Sequence, residues 1–106
     1  NLVKFFRKNG GNKLNEGLCN AAVNEHHHII DYLISEGADD LNTATLYAIE
    51  SNTLNTVKYL IDKGANDLDL FFRECADYGH VEIAKYLISI GADKNCCEWF
   101  TKSHNL

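Results

Sequence analysis

Along Val81-Glu82-Ile83-Ala84-Lys85-Tyr86-Leu87-Ile88 the apolar positions recur at helical spacing, and Ile83, Leu87 and Ile90 fall on one stripe at i, i+4 and i+7. The pattern stops at Gly91. A glycine just past a helix suits a C′ residue in the left-handed region, where a Cβ would clash. A second apolar segment, Leu41 to Ser51, is bounded by Asp39-Asp40 and by Asn52-Thr53, residue types that cap helices. The pattern therefore predicts paired short helices separated by tight turns.

Laying the chain over itself shows that the pair is repeated. Tyr32-Leu33-Ile34-Ser35-Glu36-Gly37-Ala38-Asp39 returns as Tyr59-Leu60-Ile61-Asp62-Lys63-Gly64-Ala65-Asn66 and as Tyr86-Leu87-Ile88-Ser89-Ile90-Gly91-Ala92-Asp93, each displaced by 27 residues. A fainter copy, Phe5-Phe6-Arg7-Lys8-Asn9-Gly10-Gly11-Asn12, lies one period upstream. Leu14, Leu41 and Leu68 open the first helix of each unit. The pairs Ala21-Ala22, Ala48-Ile49 and Cys75-Ala76 occupy its middle, where small residues let helices approach closely. A two-helix hairpin cannot bury its own apolar face, so neighbours must stack into a solenoid. The register divides the single array 1–106 into a half repeat 1–12, full repeats 13–39, 40–66 and 67–93, and a half repeat 94–106. The first half repeat supplies a second helix and Lys94 to Leu106 a first helix. Leu2, Val3 and Phe6 align with the expected core residues Ile29, Ile30 and Leu33, and Trp99 aligns with Leu18 and Phe72. These end residues lack a covering neighbour, which sets the expectation of a longer array.

Gly79-His80-Val81-Glu82-Ile83-Ala84-Lys85-Tyr86-Leu87-Ile88-Ser89-Ile90-Gly91-Ala92-Asp93 follows the pattern G-H-x-x-[IV]-V-K-x-L-[LI]-x-x-G-A-D. On these residues, and on their copies over nearly the whole chain, the sequence resembles ankyrin-repeat proteins. It departs from them in length, since the family unit has about 33 residues. The shortfall lies between Gly37 and Thr43, where the family carries its β-hairpin finger, and the family's T-P-L-H has become Thr43-Ala44-Thr45-Leu46. The resemblance implies an all-α fold, an ankyrin-like α-solenoid of stacked helical hairpins whose fingers are reduced to short turns. The short, Asn-rich, proline-free units are similar to those of large amoeba-infecting DNA viruses. That likeness implies an intracellular, cytoplasmic setting, in the host cell if the protein is viral. A tetratricopeptide array is the competing solenoid, but its period of about 34 residues and its Trp/Gly/Tyr signature are absent.

Composition narrows the function classes. A chain of 106 residues, 45% hydrophobic, supports one modest core. Lys and Arg number 10 against 15 Asp and Glu, a net charge of -5 that leaves no basic field for nucleic acid. No apolar run approaches the ~20 residues of a membrane span. Cys19 and Cys75 sit two repeats apart, roughly 20 Å if helices pack 8 to 10 Å apart, too far for a disulfide. Cys75 reads as a packing residue. Cys96 and Cys97 are adjacent and expected to be partly exposed, without C-x-x-C spacing. His26-His27-His28 invites a metal reading, yet neighbours on a helix point about 100° apart and do not converge. His26 shares its turn position with His80, where a turn hydrogen bond is expected. No nucleophile motif, phosphate loop or H-E-x-x-H is present, so no catalytic residue, metal or cofactor is assigned.

The expected function is a non-catalytic protein-protein interaction scaffold. The family resemblance selects the concave face of the first helices, and the register places Asn20, Val23 and Asn24, then Tyr47, Glu50 and Ser51, then Glu74, Asp77 and Tyr78 on it. The partner is expected to present a basic or amphipathic surface, with acid inside the curve and Lys58 and Lys85 outside. The alternative is a structural component that self-associates through its array ends, motivated by Trp99.

Overall fold

The computed structural model describes residues 11–106, so the half repeat expected at 1–12 lies almost wholly outside the described residues. In chain order the helices are α1 (Gly11–Val23), α2 (His27–Ser35), α3 (Leu41–Glu50), α4 (Leu54–Lys63), α5 (Leu68–Tyr78) and α6 (Val81–Ser89). A 3₁₀ turn, Lys94–Cys97, then leads into α7 (Glu98–His104). No strand occurs among the described residues. Each full repeat is one helical hairpin, α1/α2, α3/α4 or α5/α6. First helices pack on first helices and α4 packs on α6, giving a rod of 48 × 19 × 19 Å.

Both ends of each hairpin are closed by the same hydrogen-bond device. At the end of α2, Gly37 N–H donates to Ile34 O at 3.0 Å and Ala38 N–H to Leu33 O at 2.9 Å, the paired bonds of a Schellman motif. Gly64-Ala65 repeats it after α4 and Gly91-Ala92 after α6. The glycines have φ of 114°, 129° and 117°, positive as the sequence predicts but beyond the usual left-handed value of about 57°. The turn inside each hairpin uses the same paired bonds at Glu25-His26, Asn52-Thr53 and Gly79-His80. There the positive φ falls on Glu25, Asn52 and Gly79 in turn.

The joints between repeats show how the missing finger is replaced. Asn15 Oδ1 accepts the backbone N–H groups of Asp39 and Asp40 at 3.0 and 3.1 Å. Asn42 Oδ1 does the same for Asn66 and Asp67 at 2.9 and 3.3 Å. One period on, Asp69 Oδ1 accepts from Asp93 N–H at 2.9 Å. A side chain from each first helix thus satisfies the exposed backbone donors of the turn that opens the next unit.

The core runs between the two helix layers. Leu18, Thr45 and Phe72 occupy one register position and are fully buried, as are Leu60 and Leu87 and, almost wholly, Leu33. The small pairs Ala21-Ala22, Ala48-Ile49 and Cys75-Ala76 are buried where first helices meet. Thr45 is polar in this core but its Oγ1 donates to Leu41 O at 2.8 Å, so its burial leaves no group unsatisfied. Ile90 departs from the expected stripe. It follows α6 as its C-cap and is 39% exposed, which leaves Ile83, Ala84 and Leu87 as the buried face. Ile29 is likewise exposed, although its register mates Thr56 and Ile83 are buried.

The last half repeat also departs from expectation. Lys94 stands at the N-cap position of Asp40, whose carboxylate accepts from Thr43 N–H, and of Asp67, which makes no such bond; an ammonium has no acceptor for helix N–H groups. Instead Asp93 accepts from Asn95 N–H at 2.9 Å and the chain tightens into the 3₁₀ turn before α7 starts at Glu98. This changes which aromatic enters the core. Phe100 is buried and meets Phe72 edge-on at 6.0 Å, while Trp99, the register mate of Phe72, is 61% exposed.

Candidate partner-binding surface

The nine positions selected by the register all reach the surface of the first helices. Asn20, Val23, Asn24, Tyr47, Glu50, Ser51, Asp77 and Tyr78 are exposed, and Glu74 is half-buried. Glu74 and Tyr78 stand four residues apart on α5, so their side chains are neighbours on one helix face. Asp77 flanks them, and Glu50 ends α3, which packs against α5. The electrostatics agree with that placement. The Tyr78 phenol is pushed above its usual range, chiefly by the Glu50 carboxylate, then by partial desolvation and by Glu74 and Asp77. Its ring lies nearly parallel to that of His80, 6° apart with centroids 5.8 Å apart.

A groove between α1 and α3 encloses about 490 Å³ and is lined by Asn15, Glu16, Cys19, Asn20, Asp40, Thr43 and Tyr47. Only Asn20 and Tyr47 were among the expected residues. The others lie on the flanks of the two helices, and their convergence depends on the gap between helices rather than on either helix alone. Cys19 lines this groove with its thiol pushed up to about 11, by burial first and then by Asp40 and Glu16. Such a thiol is a weak nucleophile at neutral pH. Cys75 is more deeply set and is raised to about 12 by burial and Glu74. Cys97 is buried and Cys96 exposed, with their sulfurs 4.0 Å apart.

The second helices present a different kind of surface. Asp31 pairs with Lys63 at 3.1 Å and accepts a hydrogen bond from Tyr59, which holds its carboxyl below the usual range. His27 stacks on Tyr59 with centroids 4.3 Å apart, and its Nε2 lies 3.0 Å from Thr56 Oγ1. Lys63 Nζ sits 5.2 Å from the centre of the Tyr59 ring, and Lys58 Nζ 5.1 Å from that of Tyr86. Lys85 pairs with Glu82 at 3.6 Å. Charge does not segregate as simply as expected, because Asp31 occupies the register position of Lys58 and Lys85. The second-helix charges are largely paired with one another. Among the described residues no ion pair engages Glu50, Glu74 or Asp77.

A family model for ankyrin repeats, three copies, matches residues 1–71 and again 18–98. The chain belongs to the ankyrin-repeat family. No curated protein and no solved structure matches it. Ankyrin repeats are generally protein-protein interaction modules, and this array keeps the helical hairpins of such a module while the finger is replaced by the side-chain joints at Asn15, Asn42 and Asp69. The turn histidines of the array behave differently from expectation. Neither His26 nor His80 makes a side-chain capping bond, and His80 Nε2 is buried without a partner. Thr53, at the same position, supplies the turn bond instead, its Oγ1 donating to Ala48 O at 3.0 Å.

Proposed function

We propose that this ankyrin array is a non-catalytic scaffold that recognises a protein partner through the concave face of its first helices. The observation that supports this most directly is the contrast between the two helix layers. On the second helices, Tyr59 and Tyr86 carry lysines, and Asp31 and Glu82 pair with lysines, while Tyr32 is left exposed. On the first helices, Tyr47 and Tyr78 are nearly half exposed and Glu50, Glu74 and Asp77 make no ion pair among the described residues, although Glu16 pairs with Lys13. Complementary basic or amphipathic surface on the partner would raise association rate and selectivity, while the tyrosines supply contact area.

The test is capture from native lysate on immobilised protein, comparing wild type, Tyr47→Ala with Tyr78→Ala, and Lys58→Ala. A partner of this face loses on the order of 2 to 4 kcal/mol of binding with the tyrosine pair and little with Lys58→Ala. An equal loss from Lys58→Ala would move recognition to the other layer. A second reading is favoured by one specific observation, the 61% exposure of Trp99 at the end of the array. Under it the protein assembles with its own copies end to end. Sedimentation velocity separates the two: concentration-dependent growth that Trp99→Ala abolishes supports assembly, and a monomer at all concentrations supports the scaffold.

A further inference from the structure

The first-helix face carries one position whose chemistry is specific enough to name what it holds. We propose that Tyr78, with Glu74 and Asp77 on its own helix and Glu50 at the end of the neighbouring one, is a seat for a single arginine side chain of the partner protein. This rests on the reading of that face as the recognition surface and deepens it.

The molecule provides its own precedent. Tyr59 and Tyr86, one in each of the last two second helices, each have a lysine ammonium over the ring within cation–π range, at 5.2 and 5.1 Å from the centroid. A cation over a tyrosine face is attracted by the ring quadrupole, and a carboxylate beside it strengthens the seat. The seat at Tyr59 has that carboxylate, since Asp31 binds both Lys63 and the phenol. Tyr78 likewise has carboxylates nearby, with Glu74 one turn back on the same helix. Tyr78 is 49% exposed, and no cation lies over its ring among the described residues. Charge complementarity therefore specifies a cationic occupant.

Geometry favours a guanidinium over an ammonium. The carboxylates come from two helices, Glu50 from the end of α3 and Glu74 and Asp77 from α5, so a cation that serves both must spread its donors. A planar group with five fixed donors can lie on the ring and still reach more than one carboxylate, whereas an ammonium offers three donors around a single point. The stack of His80 against Tyr78 holds the aromatic plane from behind. A tyrosine phenol is neutral at physiological pH, so it remains a hydrogen-bonding group beside the cation.

The experiment is an NMR titration of the isotope-labelled full chain with the blocked pentapeptide acetyl-Gly-Gly-Arg-Gly-Gly-amide, and with its lysine and citrulline counterparts. The arginine peptide should shift the Tyr78 ring and the amides of Glu50, Glu74 and Asp77. The lysine peptide should bind more weakly at the same residues, and citrulline, isosteric but uncharged, should leave them unmoved. Tyr78→Ala should lower arginine-peptide affinity about threefold to fivefold, with Tyr78→Phe close to wild type and circular dichroism confirming the fold of both. Equal shifts with citrulline, equal affinity for lysine, unchanged affinity in Tyr78→Ala, or shifts spread equally to Asp62 and Glu82 on the second helices would each overturn the seat. If the seat fails while partner capture still depends on Tyr47 and Tyr78, the face stands without it. If capture ignores both tyrosines, the face itself is wrong.

Discussion

The side-chain oxygen of Asn42 accepts the backbone N–H of Asn66 at 2.9 Å, a bond that spans 24 residues and joins one first helix to the turn opening the next. With the companion bond from Asp67 N–H, Asn42 satisfies two donors that would otherwise face water at a helix start. Asn42→Ala should destabilise the array by about 1 to 2 kcal/mol, whereas Asn42→Asp, which keeps an acceptor as Asp69 does, should cost less. Urea denaturation followed by circular dichroism measures both. Equal stability of Asn42→Ala and wild type would show that the joint is held by packing alone.

The turn within the first hairpin places Glu25 at a φ of 57°, a conformation that costs an ordinary L-residue roughly 1 to 2 kcal/mol. Gly79 holds the equivalent place at no such cost. Glu25→Gly should therefore raise stability by about 1 kcal/mol, Asn52→Gly should change little because asparagine tolerates this region, and Gly79→Ala should lower stability by about 1 kcal/mol. Thermal melts of the three variants give the ranking. A destabilised Glu25→Gly protein would mean that the Glu25 side chain stabilises the native state more than its backbone strains it.

Phe100, not Trp99, closes the last layer of the core, so the two aromatic residues should respond oppositely to truncation. Phe100→Ala removes a buried ring and its edge-on contact with Phe72, and is expected to cost about 3 kcal/mol. Trp99→Ala should stay within about 0.5 kcal/mol. Chemical denaturation decides between them, and the reverse order would restore the simple 27-residue register at this end.

Asp31 links pH to stability with a definite sign. Its folded-state carboxyl is lowered, by the Tyr59 hydrogen bond first and then by Lys63, so the unfolded chain takes up its proton more readily. Its contribution is present above the ordinary carboxylate range and is lost as pH falls through the lowered native value. Denaturation midpoints measured from neutral into acid pH should show a smaller acid loss for Asp31→Asn than for wild type. An identical acid limb would mean that the Asp31 cluster carries no net linkage. Because the group is exposed, salt should diminish the difference.

The hairpins were legible because the Gly-Ala pair recurs without insertion and helical spacing returns in each copy. The nine surface positions followed from the same register, since knowing which first-helix residues are small and buried fixes which face outward. The joints were not read. Asn15, Asn42 and Asp69 look like ordinary polar residues on a helix flank, and their role exists only once the next unit's turn lies beside them. Their 27-residue spacing was a signal in plain view. The α1/α3 groove was hidden for a related reason: Glu16, Cys19 and Thr43 meet through the distance between helices, which no single-helix pattern specifies. At the C-terminal end, counting by 27 pointed to Trp99, whereas the lysine at a capping position was the better guide to a changed helix start.

The side-chain joints also give the stack a direction. Where they cross from one unit to the next they run forward, from Asn15 to Asp40 and from Asn42 to Asp67. Peeling a unit from the C-terminal side leaves a carboxamide or carboxylate facing water, which costs little. Peeling one from the N-terminal side strips a turn of the acceptor that ordered its backbone. The array is thus a row of hooks facing one way, and erosion from its two sides is unequal even though the hairpins themselves are copies of one another.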